Sequence, residues 1–206
     1  MDDRALDLLI RAERVVAGGS EGPRAIGVRD GVIAAVLPIG TNALAAEEIA
    51  IGADAVVLPG LVDTHVHVCE PGNSAWEGFA TATAAAAAGG ITTLVDMPID
   101  SVPATVDPDA LEAKRRATEG QLRVDVGFWG GVTPTSLASM GPLLDAGVVG
   151  FKCFLTGSGA EDFPPLDDES LELALAVTAR LGVPLMVHAE DLAGASAPKP
   201  SRHYTD

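Results

Sequence analysis

Two histidines, His65 and His67, stand two residues apart at the end of an apolar run over residues 56–62. If this run is a β-strand, side chains two positions apart lie on one face of it, so both imidazoles point to the same place. Imidazole nitrogens are common ligands of divalent metal ions. The pair predicts one wall of a metal site; the alternative is a chance pair or two hydrogen-bonded core histidines.

Two further polar residues interrupt or end apolar runs. Lys152 lies inside the apolar stretch 147–155, where a lysine is costly to bury unless its charge is removed or paired. His188 ends the short apolar run 184–187. Each also has an ordinary interpretation, since a lysine can extend to the surface and a histidine can be satisfied in a core. Together with the His65 and His67 pair they favour a metal enzyme.

The elements that would position these residues follow two patterns. Residues 1–58 predict a small all-β unit, in which Asp30 and Gly31 mark a tight hairpin turn because this pair takes the positive φ that the turn needs. Residues 59–206 alternate strand-like and helix-like segments, which predicts βα units with a parallel sheet. The apolar segments of the first unit are 6–10, 25–28, 32–36 and 55–57; the predicted strands of the βα units are 57–66, 91–97, 123–129, 148–155 and 184–189, and the predicted helices are 75–88, 108–119, 135–145 and 168–181.

Composition narrows the function classes. The 206 residues are 48% hydrophobic, which is enough for a substantial core. A net charge of -16 argues against nucleic acid or an anionic membrane as a partner. No apolar run is long enough for a membrane span, and the first residues do not resemble a signal peptide. Two cysteines, Cys69 and Cys153, give no disulfide framework, so a cytoplasmic location is expected.

Five motifs of the sequence resemble those of a known family. The motifs are specific and run through most of the chain, and they are similar to those of the cyclic amidohydrolases, the group of dihydroorotases, hydantoinases and allantoinases, with the allantoinase family the most similar. The resemblance is carried by residues 59–72 (PGLVDTHVHVCEPG), 76–79 (WEGF), 88–98 (AGGITTLVDMP), 150–155 (GFKCFL) and 187–191 (VHAED).

The resemblance implies an α/β fold: a partial TIM-type (β/α)₈ barrel preceded by a small N-terminal β-sandwich segment. It also implies two divalent metal ions, and zinc is the metal expected. His65 and His67 would hold one metal, and His188 would help to hold the other. Lys152, converted by CO₂ to a carbamate, would bridge both, which removes the problem of burying its charge.

The implied reaction is the opening of a cyclic amide or ureide ring, allantoin to allantoate, by a hydroxide held between the metals. A small neutral cyclic ureide would be the substrate, and a dimer or tetramer is expected for the full-length family. A dihydroorotase-type or dihydropyrimidinase-type activity is the alternative within the family.

Three more residues near the strand ends are candidates. Cys69 shares the strand parity of His65 and His67, and its small uncharged side chain would suit a neutral ring better than the carboxylate of dihydroorotate; it could equally be a buried small residue. Asp100 falls where relatives carry a substrate-contacting asparagine, or it could serve a turn. Asp63 would orient a ligand histidine from behind, or bond within the turn.

The resemblance also implies that part of the family's barrel has no counterpart in this sequence. Residues 57–206 supply about five of eight βα units, and the family's further metal-binding histidine and its aspartate after the eighth strand have no counterpart, so no catalytic residue is assigned. We therefore expect either a fragment of a longer enzyme or an inactive half-barrel that binds metal weakly. His203, in the polar stretch 198–206, is expected to be solvent-exposed.

Overall fold

The computed structural model of the protein describes residues 5–190. The chain divides into two compact units, Met1–Gly60 and Leu61–Asp206. None of the described helices is both long and apolar enough to cross a membrane.

The described part of the first unit is one four-stranded sheet. Strands β1 (Leu6–Ala17), β2 (Ser20–Arg29), β3 (Val32–Pro38) and β4 (Ala45–Ile51) have the spatial order β3-β2-β1-β4. The β1/β2 and β2/β3 pairs are antiparallel, and β1/β4 is parallel. The predicted hairpin joins β2 to β3: Asp30 and Gly31 both have positive φ, 51° and 73°, as a tight hairpin turn of this kind requires.

Two predictions for this unit differ from the structure. Residues 55–57 form no strand; Val57 makes only an isolated bridge to Val15. The strand on the other side of β1 is β4, which was not predicted because Glu47 and Glu48 interrupt its apolar pattern. A sandwich is not confirmed either, because residues 5–60 form one layer, and Ile33 and Leu44 are 63% and 81% exposed.

The second unit has the predicted alternation of strands and helices. Its strands are β5 (Leu61–Val66), β6 (Ile91–Asp96), β7 (Asp125–Phe128), β8 (Gly130–Gly131), β9 (Phe151–Phe154) and β10 (Leu185–His188); its helices are α1 (Phe79–Ala88), α2 (Pro108–Thr118), α3 (Met140–Asp145) and α4 (Asp168–Leu181), with a 3-10 turn at Leu137–Ser139. All its described strand pairs are parallel, with sheet orders β5-β6-β7 and β10-β9-β8.

The two three-stranded sheets are joined through β7 and β8, which only Trp129 separates. The backbone N–H of Val149 donates to the Phe128 carbonyl at 3.0 Å, and that of Gly130 donates to the Gly150 carbonyl at 2.9 Å. The chain that leads into β9 therefore bonds to both β7 and β8. The parallel strands follow one another in chain order, and their carboxyl ends lie at one edge.

Local sequence explains where the helices begin and end. Asp107 and Asp167 cap α2 and α4, each accepting the backbone N–H three residues on, at 2.8 and 2.9 Å. α4 ends at Gly182, whose φ is +70°. α1 begins at Phe79 rather than at residue 75, because the Glu70 carboxylate accepts the Phe79 N–H at 2.8 Å and residues before Gly78 form turns.

The main core lies where the helices pack on the strands. It includes Phe79, Leu111, Met140 and Phe151, and Cys153 lies within it, because neighbouring residues of a strand point to opposite faces and Lys152 points to the other one. β8 consists of glycines because space is short: a Cβ on Gly131 would lie 2.5 Å from the Phe163 ring. A larger residue there would push β8 away from the layer.

Candidate functional site

The first wall of the site is the end of β5. His65 lies within the strand and His67 follows it, and their ring centroids are 5.4 Å apart at an interplanar angle of 31°. Both rings line a cavity of about 430 Å³. The spacing of two residues thus brings two imidazoles to the same cavity.

The opposite wall is formed by β9 and β10. In their parallel register Lys152 pairs with Met186, and Phe154 pairs with His188. The His188 ring stacks on the Phe154 ring with centroids 5.0 Å apart, and Lys152 Nζ lies 4.9 Å from the centroid of the same ring. Both Lys152 and His188 line the cavity that holds His65 and His67. All four residues predicted from the sequence as metal ligands therefore share one cavity.

The surroundings of the cavity favour uncharged nitrogen groups. Burial, followed by the neighbouring His67 and Lys152, lowers the pKa of His65, and Asp63 opposes this effect only in part. Burial lowers the pKa of the Lys152 amine, whose residue is only 5% exposed. A neutral imidazole has the lone pair that a metal needs, and a neutral amine has the lone pair that attacks CO₂.

Asp100, after β6, contacts His67 directly. Its Oδ2 lies 2.7 Å from His67 Nδ1, and its backbone has a φ of +74°, in the left-handed region. The Asn73 side-chain amide donates to the Asp100 carbonyl at 3.0 Å. The substrate contact expected for Asp100 is untested, and its observed partners are a candidate ligand and a neighbouring loop.

A larger cavity, of about 780 Å³, adjoins the first. His67 and Asp100 line both, so these two side chains form the shared wall. Cys69 and Trp76 also line the larger cavity, and Trp76 is 87% exposed. Cys69 itself is buried, and burial, followed by the carboxylate of Asp100, raises the pKa of its thiol. The thiol is thus a neutral group beside His67.

Asp63 acts on the backbone rather than on a ring. Its Oδ1 accepts the backbone N–H of His65 at 3.0 Å. Of the two interpretations given for Asp63, this contact is the bond within the turn, and it positions His65 through the main chain. His203, the remaining histidine, lies outside the described residues.

A buried ion pair beneath the site was not predicted. Lys114 Nζ lies 2.7 Å from Asp96 Oδ2, with side chains 1% and 0% exposed, and it also donates to the Met97 carbonyl at 2.9 Å. Asp96 Oδ1 accepts the Val68 N–H at 2.7 Å, between His67 and Cys69. The sequence shows only half of this pair: Asp96 ends an apolar strand, but Lys114 lies in the largely polar helix α2, whose pattern does not reveal that it is buried.

Ser158 was also missed as a site residue. It lines the smaller cavity, and its hydroxyl donates to the Phe163 carbonyl at 2.7 Å. It lies in a Gly-Ser-Gly loop after β9, where only the three-dimensional course of the chain brings it to the site.

Several side chains of the smaller cavity are of types that bind metal ions. Within residues 5–190, no three His, Cys, Asp or Glu side chains converge into a metal-binding group. The cavity instead combines the His65 and His67 pair, a single imidazole from His188, and a lysine. This set fits metals in kind, because imidazoles suit zinc and a lysine carbamate would add the anionic oxygens that the set lacks.

The fold and the site together define a class: parallel βα proteins whose polar side chains gather at the carboxyl ends of the strands. The chain belongs to the amidohydrolase family, whose family model matches residues 56–198.

The individual relatives that match the chain include allantoinases and a hydantoinase. An allantoinase from Streptomyces avermitilis is 50% identical over 186 residues, which are 90% of this chain and 42% of that protein. A probable allantoinase from Oryza sativa subsp. japonica is 46% identical, over 88% of this chain and 36% of its own length. The solved L-hydantoinase (dihydropyrimidinase) from Arthrobacter aurescens superposes with a TM-score of 0.79 at 32% identity, covering 90% of this chain and 41% of that one. The chain thus spans about two fifths of the length of these relatives.

Proposed function

We propose that the protein is a metal-dependent hydrolase that opens a cyclic ureide ring, converting allantoin to allantoate. The single observation that carries this proposal is the shared cavity of His65, His67, Lys152 and His188 at the carboxyl ends of β5, β9 and β10. The 50% identity to an allantoinase favours this substrate over hydantoin, since the solved hydantoinase is 32% identical.

We assign residues 1–58 to an N-terminal β-segment and residues 59–206 to the metal-binding domain.

The proposed architecture extends the described one. The parallel strands β5 to β10 would be about five of the eight βα units of a TIM-type barrel, and the sheet of β1 to β4 one layer of a sandwich. The parallel pairing in chain order and the TM-score of 0.79 support this assignment.

In the proposed metal centre, His65 and His67 would hold one divalent cation, preferably zinc, and His188 would help to hold a second. The neutral amine of Lys152 would add to CO₂, forming an N–C bond as one C=O π bond opens and releasing one proton, and the resulting carbamate would supply anionic oxygens to the metal site. When bound, the cations polarise the ring carbonyl and lower the pKa of a water molecule. The buried position of Lys152 supports this role, because burial lowers its pKa and favours the reactive amine.

The larger cavity is the proposed substrate site. Cys69 and Asp100 line it, and its lining residues, all within the described part of the chain, include no lysine or arginine to pair with a substrate carboxylate. A neutral ring therefore fits this surface better than dihydroorotate does. Asp63 would support His65 through the backbone N–H that it accepts.

The test is to load the 206-residue chain with zinc and bicarbonate, measure bound zinc, and assay ring opening of allantoin, hydantoin and dihydroorotate. We expect about two zinc ions per chain and faster opening of allantoin than of the other two. His67→Gln should lose zinc, whereas the matched control His203→Gln should retain it. Zinc binding without turnover would favour the alternative of an inactive half-barrel, and no zinc binding would refute the metal centre.

A further inference from the structure

The contact between His67 and Asp100 specifies which imidazole nitrogen carries the proton. The 2.7 Å contact uses Nδ1 of His67 and Oδ2 of Asp100. An ionised carboxylate can only accept hydrogen bonds. A neutral His67 must therefore carry its proton on Nδ1, and its lone pair must lie on Nε2.

The backbone holds Asp100 in a conformation that few residues adopt. Its φ of +74° lies in the left-handed region, which aspartate tolerates better than most side chains do. Two hydrogen bonds tie this loop to its neighbour: the Asn73 amide donates to the Asp100 carbonyl at 3.0 Å, and the Val102 N–H donates to the Pro71 carbonyl at 2.8 Å. The backbone that carries the carboxylate is thus held by the fold before any ligand binds.

The neighbouring loop approaches so closely that only glycine fits there. Gly72 has a φ of +98°, and a Cβ on it would lie 2.6 Å from the Val102 Cβ. This close packing keeps the two loops together.

His188 offers an internal contrast. Its Nε2, rather than its Nδ1, lies 3.3 Å from Glu190 Oε2, and both side chains are about half exposed. This longer contact should constrain the ring less than the 2.7 Å contact constrains His67. The two histidines therefore differ in which nitrogen is engaged and in how strongly.

We propose that Asp100 is a positioning residue: it fixes the Nδ1–H tautomer of His67 and directs Nε2 toward the cavity that Lys152 also lines. The inference rests on the proposed metal function and deepens it, because the proposed ligand role of His67 needs a free nitrogen on the cavity side. Carboxylates that hold a ligand histidine in this way commonly contribute 10–100-fold to metal affinity.

The test reads the tautomer in the metal-free chain. Long-range ¹H–¹⁵N correlation spectra at about pH 8, above the ordinary imidazole pKa of about 6.5, distinguish the two tautomers of each of the four histidines. His67→Gln assigns the signal. We expect the Nδ1–H form for His67 in the wild-type chain, and a shift toward a mixture in Asp100→Gly. Glycine is chosen because it retains the positive φ, which alanine would resist.

Asp100→Asn is the conservative variant. Its amide is nearly isosteric but can turn either oxygen or nitrogen to the ring, so an intermediate tautomer population is expected. Zinc titration against a competing chelator should show a loss of about 10–100-fold in Asp100→Gly and a smaller loss in Asp100→Asn. Asp54→Gly, which removes a carboxylate at an exposed position in the first unit, is the matched control and should bind zinc like the wild type.

Two failures can be told apart. A wild-type His67 with its proton on Nε2, or an unchanged tautomer in Asp100→Gly, would overturn the positioning role even if zinc binds. A wild-type chain with the expected tautomer but no zinc binding would overturn the metal function, and with it the purpose of the contact.

Discussion

Two buried lysines near the site have opposite surroundings. Lys114, 1% exposed, pairs with the Asp96 carboxylate at 2.7 Å under the end of β6. Lys152, 5% exposed, lies over the Phe154 ring at the cavity wall, and no carboxylate within residues 5–190 forms an ion pair with it. One lysine thus has the counter-charge that burial demands, and the other does not.

The difference separates a structural charge from a reactive one. The Lys114 and Asp96 pair acts on the backbone, since Asp96 also accepts the Val68 N–H between His67 and Cys69. The Lys152 amine has a lowered pKa and lines the same cavity as three imidazoles. Burial alone does not identify a functional lysine; what matters is whether the fold already neutralises its charge.

Lys114→Met tests the structural role of the buried ion pair directly. Removing the ammonium leaves the Asp96 carboxylate buried without its partner, so we expect the free energy of unfolding to fall by about 3–5 kcal/mol. Urea unfolding followed by circular dichroism measures this loss. The double variant Asp96→Asn/Lys114→Met should recover much of it, because the amide oxygen can still accept the Val68 N–H. A loss below about 0.5 kcal/mol in Lys114→Met would show that the pair is not structural.

Lys152→Met is the matched substitution in the other region. Because the wild-type amine is buried and has no carboxylate partner among residues 5–190, a methionine of similar size should leave the metal-free chain within about 1 kcal/mol of wild-type stability, or make it more stable. The same variant should lose bicarbonate-dependent zinc binding. Unfolding in chelator and zinc titration with and without bicarbonate measure the two effects. A destabilisation as large as that of Lys114→Met would place both lysines in the structural class.

Sequence reasoning found Lys152 but not Lys114, and the reason is physical. Lys152 interrupts an apolar strand, where any polar residue is conspicuous, and His65 and His188 are conspicuous for the same reason. Lys114 lies in helix α2 among Glu112, Arg115 and Arg116, so its burial depends on helix orientation, which a mixed polar pattern does not reveal.

The elements themselves were largely predictable, and the exceptions share a cause. The strands and helices of the second unit follow from apolar runs and from capping residues such as Asp107, whose effects are local. β4 was not predicted because its own apolar pattern is weak. It forms a strand by pairing with β1, which lies about 40 residues earlier in the chain. The contact of Asp100 with His67 depends on a left-handed backbone in a loop, which no spacing rule predicts.

A weaker effect is expected of pH, and it tests whether burial lowers the pKa of His65 as it lowers that of Lys152. Burial lowers the pKa of His65, so near its ordinary value of about 6.5 the unfolded chain binds a proton that the folded chain does not. Between the two pKa values the unfolded state holds more protons, so stability rises with pH there and is lost as pH falls from about 6.5 toward the folded pKa. The metal-free wild-type chain should therefore show a steeper loss of unfolding free energy just below pH 6.5 than His65→Gln does. The His65 Cε1 proton should titrate below pH 6.5 in the folded state, and titration at or above that value would mean that the cavity does not favour the neutral imidazole on which the proposed metal ligation depends.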